Sequence, residues 1–445
     1  MTHHAAPPLP RPSPAQRWLA LLLVSVAMFG NYYVYDAFGP VVDLLREQAG
    51  FTYDQVSMVF SAYSVAAVVV LLAGGYVIDR WGTRRSILLF AAICLAASAL
   101  MASTARFETM VAGRFLLGIG AEPLIVAVTA VLAKWFKGKE LSFAFGINLS
   151  IARLGSASAD WSPSFASGLY ANWQDPLWLA TGIAAVAVAA AMLYWMAEAR
   201  LERRIDLGQA GSTDKLALKG LYAFSASYWY IVGLCVVFYA TVFPFRAFAI
   251  DYFQQAHGLA RDTAGMLSSL LPVAAIVVTP LFGLWVDRVG RRSLFMAVGS
   301  LAMLPLFLLV TYAPPGPEIA LPFTDGAAVP LTLLVVMLLL GAVFSLIPAV
   351  MWPSVAYIVR ENRLGSAYSM MTLCQQVGVA LVPLAVGRFN TAFAAGPDNP
   401  AGYAPGMWFY TALAALGLLF SWLLWRSESG PRAHGLEYPS GAKPA

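Results

Sequence analysis

Twelve long, mostly apolar runs punctuate this chain, each bounded by charges or by Gly/Pro clusters. The hydrocarbon core of a bilayer is about 30 Å thick and needs roughly 20 such residues per helix. The first six runs cover residues 18–38, 55–78, 86–104, 108–134, 140–170 and 175–195. The second six cover 228–253, 264–286, 293–312, 329–359, 365–389 and 407–425. Only 11% of the 445 residues are charged, against about 25% in a soluble domain. A soluble enzyme, a nucleic-acid binder and a disordered scaffold are excluded. The fold class expected is an all-α membrane protein with twelve transmembrane helices.

The basic residues give the expected orientation. With both termini inside, 21 of the 28 lysines and arginines fall on inner segments, and only Arg46, Arg106, Arg261 and Arg388 fall outside. Such a bias predicts cytoplasmic termini. The polar stretch 198–222 divides the runs six and six as a cytoplasmic linker between bundles at 17–197 and 223–426. Residues 1–16 and the tail 427–445 read as disordered, and the Pro/Gly-rich stretch 313–330 as an outer loop.

An internal repeat supports this division. Gly75, Asp79, Arg80, Gly82 and Arg84 follow the second run; Gly283, Asp287, Arg288, Gly290 and Arg292 follow the eighth in the same order. A tight inner turn is expected at each copy. Its Asp would accept hydrogen bonds near a helix N-terminus, and its arginines would reach carboxylates or lipid phosphates.

At these residues the chain resembles the major facilitator superfamily, and Gly113, Arg114, Phe115, Gly118 and Gly120 are similar to that superfamily's fourth-helix motif. The resemblance implies two pseudo-symmetric six-helix bundles rocking around a central site. Closer likeness lies in Tyr32-Tyr33-Val34-Tyr35-Asp36, Trp135 to Glu140, Leu149 to Ser156, Trp352 to Tyr357 and Leu364 to Tyr368. These stretches resemble the lysosomal dipeptide uniporter branch, where a Glu on helix four and an Arg on helix five hold the peptide termini. The matching positions are Glu122 and Arg153. No acidic dileucine sorting signal stands in the N-terminal segment, and Arg360 replaces a proline of that branch. The expected location is a bacterial inner membrane.

Glu122 and Arg153 stand out without any family. They lie twelve residues before Lys134 and thirteen after Glu140, hence at a common depth of about 18–20 Å from the inner helix ends at 1.5 Å per residue. Each costs at least ~2.5–3.5 kcal/mol to insert, so such groups mark pathways. One reading is a static ion pair tying two helices together. The other is a site for a zwitterion, whose ammonium needs a carboxylate and whose carboxylate suits a guanidinium. The pair would close on itself when empty. Beside Arg153, Glu122 would stay ionised instead of carrying protons, which favours uniport; symport through Asp36 or Asp160 stays open.

Tyr35 and Asp36 are read as an interfacial cluster or as site wall and outer gate. Tyr239, Trp352, Gln375 and Gln376 are candidates for an aromatic wall with amide hydrogen bonds. Arg114 and Arg246 are read mainly as structural. No nucleotide-binding loop, metal cluster or cofactor motif occurs, and Cys94, Cys235 and Cys374 lie within runs as apolar fillers. The expected function is passive movement of dipeptides by alternating access, by a monomer whose partners are substrate and lipid. A proton- or sodium-coupled carrier of organic anions or amino acids is the first alternative, and a non-transporting membrane sensor the second.

Overall fold

Several helix starts follow directly from local sequence. Ser13 and Gln16 form a reciprocal capping box ahead of Pro14, and Thr52 with Gln55 repeats the arrangement; each pair satisfies backbone N–H groups that a helix leaves open. Ser225 caps a third helix by accepting from the Tyr228 N–H. The computed structural model describes residues 12–71, 78, 80–136, 140–202, 224–314, 316–320, 328–360, 363–431 and 433–438.

In the first half, α1 spans Pro14–Asp36, a short α2 Val42–Ala49, α3 Tyr53–Leu71, α4 Thr83–Ser103, α5 Phe107–Trp135, α6 Leu141–Phe165 and α7 Gln174–Leu201. In the second, α8 spans Ala226–His257, α9 Arg261–Val289, α10 Arg292–Tyr312, α11 Leu331–Ile358, α12 Leu364–Ala392 and α13 Ala404–Glu428. Among the described residues, eleven membrane-length helical spans pass on length and apolarity. Helix α6 is the twelfth long helix; Asn148, Arg153 and Asp160 dilute its apolar character.

The ion pairs fix which helix ends share a face. Arg17–Glu140, Lys134–Glu198 and Arg84–Glu202 gather the ends of α1, α4, α5, α6 and α7 on the face that carries both ends of the described chain. Each of these pairs stays within the first half. On the opposite face the pairs cross between halves: Arg46–Asp251, Arg261–Asp43 and Arg388–Asp54. Tyr53 of α3 and Tyr403, which precedes α13, both donate to Asp251.

The apolar cores repeat this asymmetry. One cluster lies wholly within the first half, from Ala20 to Tyr194. The other fills the second half and also takes in Phe38, Val41, Tyr53, Phe60, Tyr170 and Leu177 from the first. Two glycines permit the closest crossings. A Cβ on Gly265 would strike the Asp160 carbonyl, and one on Gly387 would strike Ser57. The halves are therefore sealed together on the opposite face.

Two connections differ from expectation. The stretch read as an outer loop holds a two-stranded antiparallel ribbon, β1 Glu318–Ala320 against β2 Ala328–Pro330. The tail read as disordered is ordered over residues 433–438 and docks on the second motif copy. The Arg291 N–H donates to the Glu437 carbonyl at 3.0 Å. The Arg292 guanidinium donates to the Leu436 and Tyr438 carbonyls, and Leu436 is fully buried. Both bonds come from the buried Nη1, which holds the segment on either side of Glu437. The linker between the halves lies outside the described residues beyond Glu202, as does the N-terminal segment before Pro12.

Gly82 and Gly290 both take positive φ, 78° and 71°, which agrees with the tight turn expected at each motif copy. Arg84 reaches the carboxylate of Glu202 beside the linker, and Asp287 accepts from Arg292 at 3.1 Å. Each copy thus binds the segment that leaves its own half. Arg80 and Arg288 are exposed, Gly283 has open space around it, and Gly75 and Asp79 lie outside the described residues.

Candidate functional site

Between the halves lies a cavity of about 560 Å3, within the ~300–1,000 Å3 typical of small-molecule sites. Its wall includes all seven residues expected to meet substrate: Tyr35, Asp36, Glu122, Arg153, Tyr239, Trp352 and Gln375. They come from α1, α5, α6, α8, α11 and α12, so a ligand there touches both halves.

Glu122 and Arg153 share this wall but do not pair. Glu122 Oε1 accepts from the Tyr63 hydroxyl at 2.9 Å and from Gln376 Nε2 at 2.8 Å. Arg153 Nη1 donates to the Ala275 carbonyl at 2.8 Å and to Thr279 Oγ1 at 2.6 Å, and its guanidinium lies 5.8 Å from the Phe344 ring centre. The expectation of a pair closed on itself in the empty protein is corrected. The cause is that α12 and α9 of the second half supply neutral partners. With no pair between them, Arg153 is not the partner expected to keep Glu122 ionised.

The aromatic wall is held together by its own hydrogen bonds. Trp352 Nε1 donates to Tyr239 Oη at 2.9 Å, and Tyr368 donates to the Trp352 carbonyl at 3.2 Å. Gln375 turns toward Cys235, whose Sγ is 3.6 Å from Oε1. Tyr35 packs edge-on against Tyr63 with ring centres 4.6 Å apart. Arg114 sits behind them, donating to the Tyr35 carbonyl at 2.8 Å with its guanidinium 4.8 Å from the Tyr35 ring. It braces α1 against α5, as a structural role requires.

Toward the sealed face the cavity ends at Asp36 and Arg246, with Asp160 behind them. Arg246 of α8 donates to Asp160 of α6 at 2.8 Å and lies 3.4 Å from Asp36 of α1. Ser268 of α9 adds a hydrogen bond to Asp160 at 3.1 Å. Asp36 is thus not an interfacial residue: with Arg246 it forms a cross-half contact in the cavity wall. Asp160 has two partners, Arg246 and Ser268. Tyr63, Thr279, Phe344 and Ser268 were missed because their roles come from partners on other helices, which no local sequence pattern reveals.

The family model described as Major Facilitator Superfamily matches residues 24–248 and 232–437. The human protein described as lysosomal dipeptide transporter MFSD1 is 29% identical over 437 residues, covering 94% of this chain and 88% of its own length. The probable sulfoacetate transporter SauU of Cupriavidus necator is 22% identical over 264 residues, covering 56% of this chain and 60% of its own. The crystal structure of nucleoside transporter NupG shares the fold, with a TM-score of 0.70 at 15% identity over 92% of this chain and 98% of that one. Helix count, two-lobed packing, central cavity and matched residues agree: the chain belongs to the Major Facilitator Superfamily and is a membrane transporter, not an enzyme.

Proposed function

We propose that this transporter carries small zwitterionic peptides, chiefly dipeptides, by alternating access. The observation that carries the proposal is the pair of opposite charges on one cavity wall, Glu122 and Arg153, each bonded to something other than its partner. A peptide ammonium suits the carboxylate and a peptide carboxylate suits the guanidinium. Reading the two termini leaves side-chain identity to the aromatic wall of Tyr239 and Trp352. The 29% identity to a protein described as a dipeptide transporter supports the same class.

The sealed face joins the halves through charges, while the ion pairs on the other face stay within each half. In the proposed cycle this is the inward-open state, with both termini cytoplasmic and the protein in a bacterial inner membrane. A zwitterion is neutral overall, so its passage requires no compensating ion, and uniport is the mode proposed.

One observation favours a second reading. Asp36 in the cavity wall and Asp160 behind it share the guanidinium of Arg246, so two buried carboxylates lean on one cation. Such a cluster suits proton or sodium coupling. Dipeptide uptake into liposomes, with and without an imposed pH or sodium gradient, tests both. Uptake that ignores the gradients supports uniport; accumulation driven by either supports coupling. Flux of organic anions with none of dipeptides would overturn the dipeptide assignment.

A further inference from the structure

We infer that Gln376 and Thr279 couple occupancy of the cavity to the relative position of the halves; this rests on the dipeptide reading of Glu122 and Arg153. Both ions belong to the first half, on α5 and α6. Each uses one polar atom to hold the second half: Glu122 Oε1 accepts from Gln376 of α12, and Arg153 Nη1 donates to Thr279 and the Ala275 carbonyl of α9. Glu122 Oε2 and Arg153 Nη2 make no hydrogen bond to a described residue, and neither is among the buried polar atoms lacking a partner. They open onto the cavity instead. One arm of each ion grips the opposite half, and the other is available to substrate.

The chemistry follows from charge sharing. An ammonium at Glu122 Oε2 draws electron density from the whole carboxylate, so Oε1 becomes a weaker acceptor for Gln376. A carboxylate at Arg153 Nη2 weakens donation from Nη1 in the same way. Against the low-polarity helix wall that surrounds both ions these changes are felt strongly. A ligand shifts a conformational equilibrium only through its different interaction with the two states. Loosening two cross-half tethers supplies that difference, and it does so only when both ends of the ligand are charged. A free amine or a free acid would loosen one tether alone.

Gln376→Met removes the Glu122 tether and Thr279→Val one of the two bonds of the Arg153 tether, both at nearly constant side-chain volume, and Thr279→Ser keeps that bond. A reporter Ser57→Cys, placed where α3 meets Gly387 across the sealed face, reads opening of that face in a background lacking Cys94, Cys235 and Cys374. Without ligand, maleimide labelling should rise up to roughly 10- to 150-fold in Gln376→Met, the span expected for losing a hydrogen bond to a charged group, and less in Thr279→Val, where Arg153 keeps its bond to the Ala275 carbonyl. Thr279→Ser should label like the parent. Dipeptide should accelerate labelling in the parent and accelerate it less in Gln376→Met, where the Arg153 tether alone is left to loosen. Parent-like labelling in both variants, with and without dipeptide, overturns the inference while leaving the dipeptide reading intact. Loss of dipeptide stabilisation in both also overturns it, by making the two residues ligand contacts. A parent that no dipeptide stabilises removes the dipeptide reading and the inference together.

Discussion

Glu122 and Arg153 line the same cavity, and each is bonded across the interface to the second half instead of to the other. Opposite charges that ignore one another in an apolar setting leave both available to a third partner. That arrangement is what the proposed peptide site needs and what a helix-tying ion pair lacks.

The sealed face makes a separate prediction. Arg246→Met leaves Asp36 and Asp160 buried without their shared cation, and stranding a buried charge costs ~3–5 kcal/mol. Thermal unfolding in detergent should fall most for Arg246→Met, less for Asp160→Asn and least for Asp36→Asn. The order follows the distances, 2.8 Å to Asp160 against 3.4 Å to Asp36. Equal melting temperatures for all three would show that the cluster does not hold the halves.

Close helix approach is also testable. Gly265→Leu forces a side chain into the Asp160 backbone, and overpacking of this kind costs about 1–3 kcal/mol. The strain falls on the sealed state, so the Ser57→Cys reporter should label faster and net flux should drop. Unchanged labelling would mean that α9 and α6 separate without cost.

The tail offers a stability measurement. Truncation after Gly430 removes Leu436, whose burial is worth ~1.5–3 kcal/mol, together with two carbonyl partners of Arg292. The melting temperature should fall, and Leu436→Asp should reproduce most of the fall. A truncated protein as stable as the parent would show that the docking is energetically idle.

Much of this was legible because membrane helices announce themselves by run length, and because the Gly-Asp-Arg-Gly repeat marks equivalent turns in both halves. All seven expected cavity residues are aromatic, amide-bearing or charged side chains interrupting apolar helices, and polarity at that depth is conspicuous. Partners were harder to read. Gln376 and Thr279 reach Glu122 and Arg153 from helices remote in sequence, and only the packing of the two halves brings them there. The tail was misread for a related reason. Residues 433–438 look like a polar, Gly-containing terminus, and their order comes from the buried guanidinium of Arg292 more than 140 residues earlier. Long-range partners of this kind leave no local periodicity.

The most direct test of the account is thermal stabilisation of the purified protein by dipeptides, their N-acetylated and C-amidated forms, and free amino acids, in the parent and in Glu122→Gln and Arg153→Lys. Ligand that binds the native state raises its melting temperature by mass action. Free dipeptides should stabilise the parent, and either cap should abolish the effect. Each variant should need roughly 10- to 150-fold more dipeptide, the equivalent of one charge-assisted hydrogen bond at ~1.5–3 kcal/mol. Stabilisation by single amino acids but not dipeptides, or equal stabilisation of parent and both variants, would contradict the assignment of Glu122 and Arg153 to the peptide termini.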